Sequence, residues 1–174
     1  TIAQPTVTGA ATGNYTVTVS NACGSTTSTV AVVVNAAPTI TTAASSNSPI
    51  CAGQTLNLSV SASGTAPLSY AWAGTGTFTN GATATPTVTG AATGNYTVTV
   101  SNACGSTTST VAVVVNAAPT ITTAAGSNSP ICAGQTLNLS VSASGTAPIS
   151  YAWAGTGTFT NGATATPTVT GAAT

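Results

Sequence analysis

Residues 53–60 read GQTLNLSV and residues 94–100 read GNYTVTV. In the first stretch Leu56, Leu58 and Val60 alternate with Thr55, Asn57 and Ser59. In the second, Tyr96, Val98 and Val100 alternate with Thr97, Thr99 and Ser101. Side chains on a strand point to opposite faces with a period of two, so each stretch predicts a strand with one buried and one wet face. The predicted core of these two strands is Leu56, Leu58, Val60, Tyr96, Val98 and Val100.

The chain around these stretches repeats. PTVTGAATGNYTVTVSNACGSTTSTVAVVVNAAPTITTAA begins at Pro5 and again at Pro86, and PTVTGAAT begins once more at Pro167, so 86 − 5 and 167 − 86 both give a period of 81. Over the overlap the copies differ at two positions, Ser45 against Gly126 and Leu68 against Ile149. A period of this length exceeds solenoid repeats of about 20–50 residues and suits one small all-β domain.

Within one period, β-branched or alternating runs bounded by Gly, Pro, Asn or Ser predict seven strands. Strand A lies near Thr39–Ala44, B near Thr55–Ala62, C near Leu68–Ala73, and a short strand near Thr77–Thr79 ends at Asn80-Gly81. Strand E lies near Thr85–Thr89, F near Asn95–Ala103 and G near Thr107–Val115. The expected partition is a partial repeat over 1–35 (strands E–G), a complete repeat over 36–117, and a partial repeat over 118–174 (strands A–E). The two partial repeats are complementary halves. They are read as a window on a longer continuous chain in preference to subunits that complete each other by strand donation, since strand E occurs in both.

Composition narrows function. The 174 residues include no Lys, Arg, Asp, Glu or His, so the usual general acids, general bases and hard-cation ligands are missing. The expectation is a non-enzyme without cofactor or metal. Phosphate recognition and attachment to anionic lipid need cationic side chains, so neither nucleic acid nor membrane insertion is expected of this segment. The strongest apolar run, around Val30–Val34, falls short of the roughly 18 residues that span a bilayer.

Other motifs carry less. GTGTFTNG, residues 74–81, lacks the Lys and helix of a phosphate loop and reads as a hairpin. Asn14, Asn57, Asn95 and Asn138 fit the glycan-acceptor pattern. Tyr70 and Trp72 could stack on a sugar, but their place on strand C favours core packing. The runs TVTVS, TATPTVT and TITT place hydroxyls at every second residue. This resembles the threonine ladders of ice-binding surfaces, although solvent-facing strand positions are the favoured explanation.

GQTLNLSV, SYAWAG and GNYTVTV in this order resemble the immunoglobulin fold: a core position on strand B, a Trp about twelve residues later, and a Tyr two residues before the core position of strand F. Those positions are Val60, Trp72 and Val98. Valine stands where antibody domains carry the two inter-sheet cysteines, so the resemblance implies the packing without that disulfide. CAGQTL before strand B, combined with YTVTVSNACGS on the F–G hairpin, is similar to immunoglobulin-like repeats in surface adhesins of gliding Bacteroidota. This implies a secreted bacterial protein exported by the type-nine route, located on the cell surface, and used in adhesion, motility or filament building. The alternative is an adhesin repeat that binds ice or a surface glycan through its threonine faces. The expected partner is self, as neighbouring repeats or copies in a fibre.

The resemblance also orients the cysteines. In that strand order B and F run the same way with Val60 facing Val98. Cys51 lies nine residues before that level and Cys104 six beyond it, a separation of about 50 Å at about 3.3 Å per residue. A disulfide needs Cα atoms within about 7 Å. Cys51 and Cys104 are therefore expected at opposite poles, each at a junction. Three outcomes stay open for Cys23, Cys51, Cys104 and Cys132: staples between successive domains, free or locally oxidised thiols, and pairing between neighbouring chains. The staple is the expectation, with Cys51 meeting the repeat position 104 + 81 = 185.

With no carboxylate or imidazole side chain, melting temperature is expected to stay flat between about pH 4 and 8 and on adding calcium, chelator or salt. Differential scanning calorimetry checks this, and a shift of several degrees with chelator would contradict it.

Overall fold

The computed structural model describes residues 4–171, and among them every regular element is a β-strand. In chain order these are β1 (Gly13–Asn21), β2 (Gly24–Val32), β3 (Thr39–Ser46), β4 (Ile50–Cys51), β5 (Leu56–Ser63), β6 (Ser69–Ala73), β7 (Thr77–Thr79) and β8 (Thr87–Thr89). They continue as β9 (Gly94–Asn102), β10 (Gly105–Val113), β11 (Val115–Asn116), β12 (Thr120–Ser127), β13 (Leu137–Ser144), β14 (Thr158–Thr160) and β15 (Thr168–Thr170).

Strands β3 to β11 form a β-sandwich. One sheet has the order β3-β5-β8-β7 and the other β10-β9-β6, with β4 pairing in parallel with β11. In the immunoglobulin lettering these sheets are A-B-E-D and G-F-C. The alternation of the opening stretches is realised: Leu56, Leu58 and Val60 are buried from β5, and Tyr96, Val98 and Val100 from β9. Val88 and Val113 complete the interior between the sheets. Trp72 lies half-buried, because β6 is the outer strand of its sheet, and its Nε1 donates to the Thr83 carbonyl at 3.0 Å.

Tyr96 ties the lower half of this core together. Its hydroxyl donates to the Thr75 carbonyl at 2.6 Å and accepts from the Ala92 amide at 3.1 Å, while its ring lies 6.3 Å from that of Phe78. This is a tyrosine corner, four residues wide, at the start of the F strand. Glycine at position 74 makes room for it, since a Cβ there would overlap the Tyr96 ring. The D strand β7 turns at Asn80, whose φ of 58° is the left-handed conformation that an Asn-Gly turn accommodates.

The parallel pair β4–β11 was absent from the sequence reading. It matches Val115 with Ile50 and Asn116 with Cys51, and it fixes the last residues of the unit to the loop before β5. Its amides pair across it: Ile50 N–H donates to Val114 O at 3.2 Å and Ala52 N–H to Asn116 O at 2.8 Å.

On either side lie parts of the same architecture. The β1–β2 hairpin repeats the register of β9–β10, with Tyr15 opposite Val30 as Tyr96 is opposite Val111. The sheet β12-β13-β15-β14 repeats β3-β5-β8-β7, including the shifts in register along its first pair. Residues 6–8 and 150–154, read from sequence as strands E and C of these flanking parts, are not in strands.

Gly74→Ala should destabilise the sandwich by about 1–3 kcal/mol, the usual cost of overpacking. Gly126→Ser should stay within about 0.5 kcal/mol, because a Cβ at Gly126 meets only the Ser140 hydroxyl at 3.6 Å and Ser45 holds the equivalent place. Urea unfolding of the two variants gives the comparison.

Candidate functional site

With no charged side chain, polar chemistry in this chain belongs to hydroxyls, amides and thiols. The place where these converge is the junction at which one unit hands the chain to the next. Asn102, at the end of β9, accepts the Cys104 amide on its Oδ1 at 2.9 Å, which orients its Nδ2 toward the incoming linker. That Nδ2 donates to the Ala36 carbonyl at 2.8 Å and to the Thr65 carbonyl at 2.9 Å. Thr65 completes the clamp by accepting the Ala36 amide on its hydroxyl at 2.8 Å and donating its own amide to the Ala36 carbonyl at 3.1 Å. Gly64 permits the contact: its φ is 150°, and a Cβ would crowd the Ala37–Pro38 backbone at 3.0–3.3 Å.

The second junction repeats the geometry available to it. Thr146 accepts the Ala117 amide at 2.8 Å and donates to the Ala117 carbonyl at 3.1 Å. Gly145 stands against Pro119 as Gly64 stands against Pro38. Asn102 and Thr65 were not singled out in the sequence. The signal available there was the SNACG turn, whose Asn precedes a Cys by two residues in both copies, Asn21 with Cys23 and Asn102 with Cys104.

All four cysteines, Cys23, Cys51, Cys104 and Cys132, are exposed free thiols. Cys104 lies at the entry junction, its Sγ 3.5 Å from the carbonyl oxygen of Asn35. Cys51 lies at the exit junction, paired by backbone with Asn116. Asn35 and Asn116 are the same residue of successive repeats. By repeat equivalence a cysteine from each side of a junction lies at one linker asparagine, whereas Cys51 and Cys104 of a single unit lie at different linkers.

Some hydroxyls of the outer faces are paired with their own neighbours. The Thr97 and Thr110 hydroxyls lie 2.7 Å apart across β9–β10, those of Thr16 and Thr29 lie 2.8 Å apart, and Ser45 meets Ser59 at 2.7 Å. Cross-strand hydroxyl pairs of this kind stabilise a sheet and use hydrogen-bonding capacity that a ligand would otherwise meet. Among the described residues no group of three or more His, Cys, Asp or Glu side chains is placed to hold a metal ion. Likewise among them, no helix is long and apolar enough to cross a membrane.

No family model matches the chain, and no curated protein matches it in sequence. Solved structures do. The I-band fragment of titin is 16% identical with a TM-score of 0.59, covering 91% of this chain and 64% of the fragment. The E-to-A mutated variant of three titin immunoglobulin domains is 17% identical with a TM-score of 0.59 and the same coverage. Extracellular domains 3–5 of Drosophila OTK are 22% identical over 60% of this chain and 40% of theirs, with a TM-score of 0.47. The chain thus spans less than two thirds of the titin fragments, and at these identities the likeness speaks to fold. It is an all-β chain of immunoglobulin-like sandwich units in tandem.

Proposed function

We propose that this chain is a structural segment of an extracellular bacterial fibre or adhesin shaft. Its units are taken as 36–117, with incomplete repeats over 1–35 and 118–174. The observation that carries the reading is the clamp at each junction, where the backbone of the linker is hydrogen-bonded by the unit that follows, Ala36 by Thr65 and Asn102 and Ala117 by Thr146. A held linker fixes the angle between units and makes a string of domains stiff.

Near-identity of the repeats supports the same conclusion, since a shaft needs the same joint at each step. Zero formal charge removes long-range repulsion between units and copies, so their association is insensitive to salt. The absence of every usual acid–base side chain speaks against an enzyme. The alternative of ice or glycan binding through the threonine faces has less support, because hydroxyls such as those of Thr97 and Thr110, or Thr16 and Thr29, pair with each other across the strands.

In a continuous array the staple would join Cys51 to position 185, closing a loop of 185 − 51 = 134 residues. Chain-entropy arithmetic gives about 5 kcal/mol for a loop of that size, an upper figure for an array already held by its junctions. The sandwich cores contain no sulfur, so reduction acts on the joints alone. Oxidised multi-repeat material is expected to appear in electron micrographs as straight rods that bend under reductant, while its β-sheet circular dichroism stays unchanged. Rods whose stiffness ignores reductant would remove the staple, and compact particles in both states would remove the shaft.

A further inference from the structure

The two sheets of the central sandwich have four outward edges, β3, β7, β10 and β6, and three of them are blunted. On one side β3 and β10 close against each other. The Ala44 amide of β3 donates to the Ser109 hydroxyl of β10 at 2.9 Å, and the chain then passes into β4, which pairs with β11. The ladder of β3 is also broken by register shifts on both sides of Thr42. On the other side β7 is only three residues long. Bulges, closure and short strands are usual ways of keeping a sheet edge from pairing with another chain. The fourth edge, β6, has neither a bulge nor a covering strand: it runs five residues, SYAWA, without proline, and pairs with β9 in unbroken register. A further usual device, a charged side chain on the edge, is missing from the whole sequence.

The ladder shows which backbone groups of β6 face outward. Asn102 and Gly105 face each other across the two-residue turn Ala103–Cys104, and a turn of that length closes on a hydrogen-bonded pair. Bonded and non-bonded pairs alternate from there, so Val100 and Val98 direct their amides and carbonyls to β10, and Ser101, Thr99 and Thr97 direct theirs to β6. The partners Ser69, Ala71 and Ala73 are therefore bonded to β9, and the amides and carbonyls of Tyr70 and Trp72 point away from it, along the free edge. Among the described residues, no backbone bond outside the strand ladders involves Tyr70 or Trp72. Their side chains lie on the inner face with Val100 and Val98 and are half-buried, while Ser69, Ala71 and Ala73 are exposed on the outer face.

We propose that β6 is a self-recognition edge, to which β6 of a second copy adds antiparallel, with Ala71 facing Ala71 on a two-fold axis. The occupant follows from the self-complementarity of SYAWA about its middle residue: Tyr70 of each copy falls opposite Trp72 of the other, and Ser69 opposite Ala73. In this register the outward groups match. The Tyr70 amide donates to the Trp72 carbonyl of the second copy, the Tyr70 carbonyl accepts from its Trp72 amide, and the axis repeats both bonds. A slip of one residue would set these groups against Ser69, Ala71 and Ala73, whose own groups are bonded to β9. A slip of two would keep one aromatic pair where the centred register has two.

The side chains agree with the backbone. Each Tyr–Trp pair covers ring surface that is open at the edge, as aromatic cross-strand pairs do. On the outer face Ser69, Ala71 and Ala73 bring neither bulk nor charge to the seam. A strand with acidic or basic side chains would leave its charges unmatched there, which favours a neutral partner such as this chain itself. The contact is isologous and closes on two copies. At about 3.3 Å per residue the seam is about 17 Å long and one strand wide, far short of the about 800 Å² per partner of a standard interface. One pair of edges therefore associates weakly, and chains that engage several edges at once gain by avidity. The pairing joins units side by side and is independent of how stiff the junctions between units are.

A covalent trap suits a weak contact. In the full 174-residue chain carrying Cys23→Ser, Cys51→Ser, Cys104→Ser and Cys132→Ser, all at exposed thiols, Ala71→Cys places two thiols across the axis. That position is a non-bonded pair, with Cα atoms about 4.5 Å apart and within disulfide range. With oxidised glutathione it should form disulfide dimers whose rate rises with concentration. The rate should be at least about tenfold that of Thr108→Cys, also exposed but on β10. Ser69→Cys should crosslink to Ala73→Cys and not to itself, because the two Ser69 positions lie about 13 Å apart along the strands. Adding Ala71→Lys to both of these variants opposes like charges at the axis and should remove their crosslink, whereas Ala71→Ser should leave it. An Ala71→Cys rate no higher than that of Thr108→Cys, as an edge left to water or reserved for another protein's strand would give, would overturn the proposal. A preference of Ser69→Cys for itself would overturn the register, and a crosslink indifferent to Ala71→Lys would overturn β6 as the contact.

Discussion

Everything in this structure depends on the contact between the inner faces of the B and F strands. Leu56, Leu58 and Val60 meet Tyr96, Val98 and Val100, and all six are buried at 5% exposure or less. Burying a large aliphatic side chain is worth about 1.5–3 kcal/mol. No ion pair is available to supplement it, because the chain has no charged side chain. In the flanking parts, which hold one side of this contact each, the hairpin and the four-stranded sheet keep their registers, while residues 131–132 and 150–154 are not in strands. Pairing between neighbouring strands is local and survives. Closure of the sandwich is not local, and it is in the closed unit that strand C, β4 and β11 form.

That distinction also explains what was legible in the sequence. Period-two alternation on Leu56–Val60 and Tyr96–Val100 announces strands whose two faces differ, and the structure has β5 and β9 there. The parallel pair of Ile50–Cys51 with Val115–Asn116 left no comparable trace. Each partner is two residues long, too short to show a period, and their pairing is set by how the ends of the sheets meet. Strand C illustrates the same limit from the other direction. SYAWA is a strand at residues 69–73 and is not one at 150–154, with identical sequence, because its partner F is present in one case and missing in the other. Trp72 was read as core from its place on strand C and from the immunoglobulin resemblance. It lies half-buried because its strand borders the sheet, a property of topology that spacing does not carry.

The junction was legible in part for a related reason. Counting residues from Val60 and Val98 along strands of known rise assigns Cys51 and Cys104 to opposite ends, and the structure has them at the exit and entry linkers. The clamp built by Asn102 and Thr65 was not legible, because it joins a turn, a loop and a linker separated by tens of residues. Its logic is nevertheless simple. Linker carbonyls and amides that leave a sheet need partners, and a charge-free chain must supply them from amides and hydroxyls.

Polar satisfaction is the condition under which a chain of this composition can be ordered at all. Ser and Thr hydroxyls on the outer faces pair across strands, and Asn and Thr hold the linkers. Among the described residues no buried side-chain nitrogen or oxygen lacks a partner. Such bonds are short-ranged, and each contributes about 0.5–1.5 kcal/mol net. They cannot steer distant surfaces together as charges do, so a joint made from them has to be specified by shape and register instead. Repetition supplies this economically: when successive repeats carry the same residues at the linker, as Thr65 and Thr146 do, one joint geometry serves each junction.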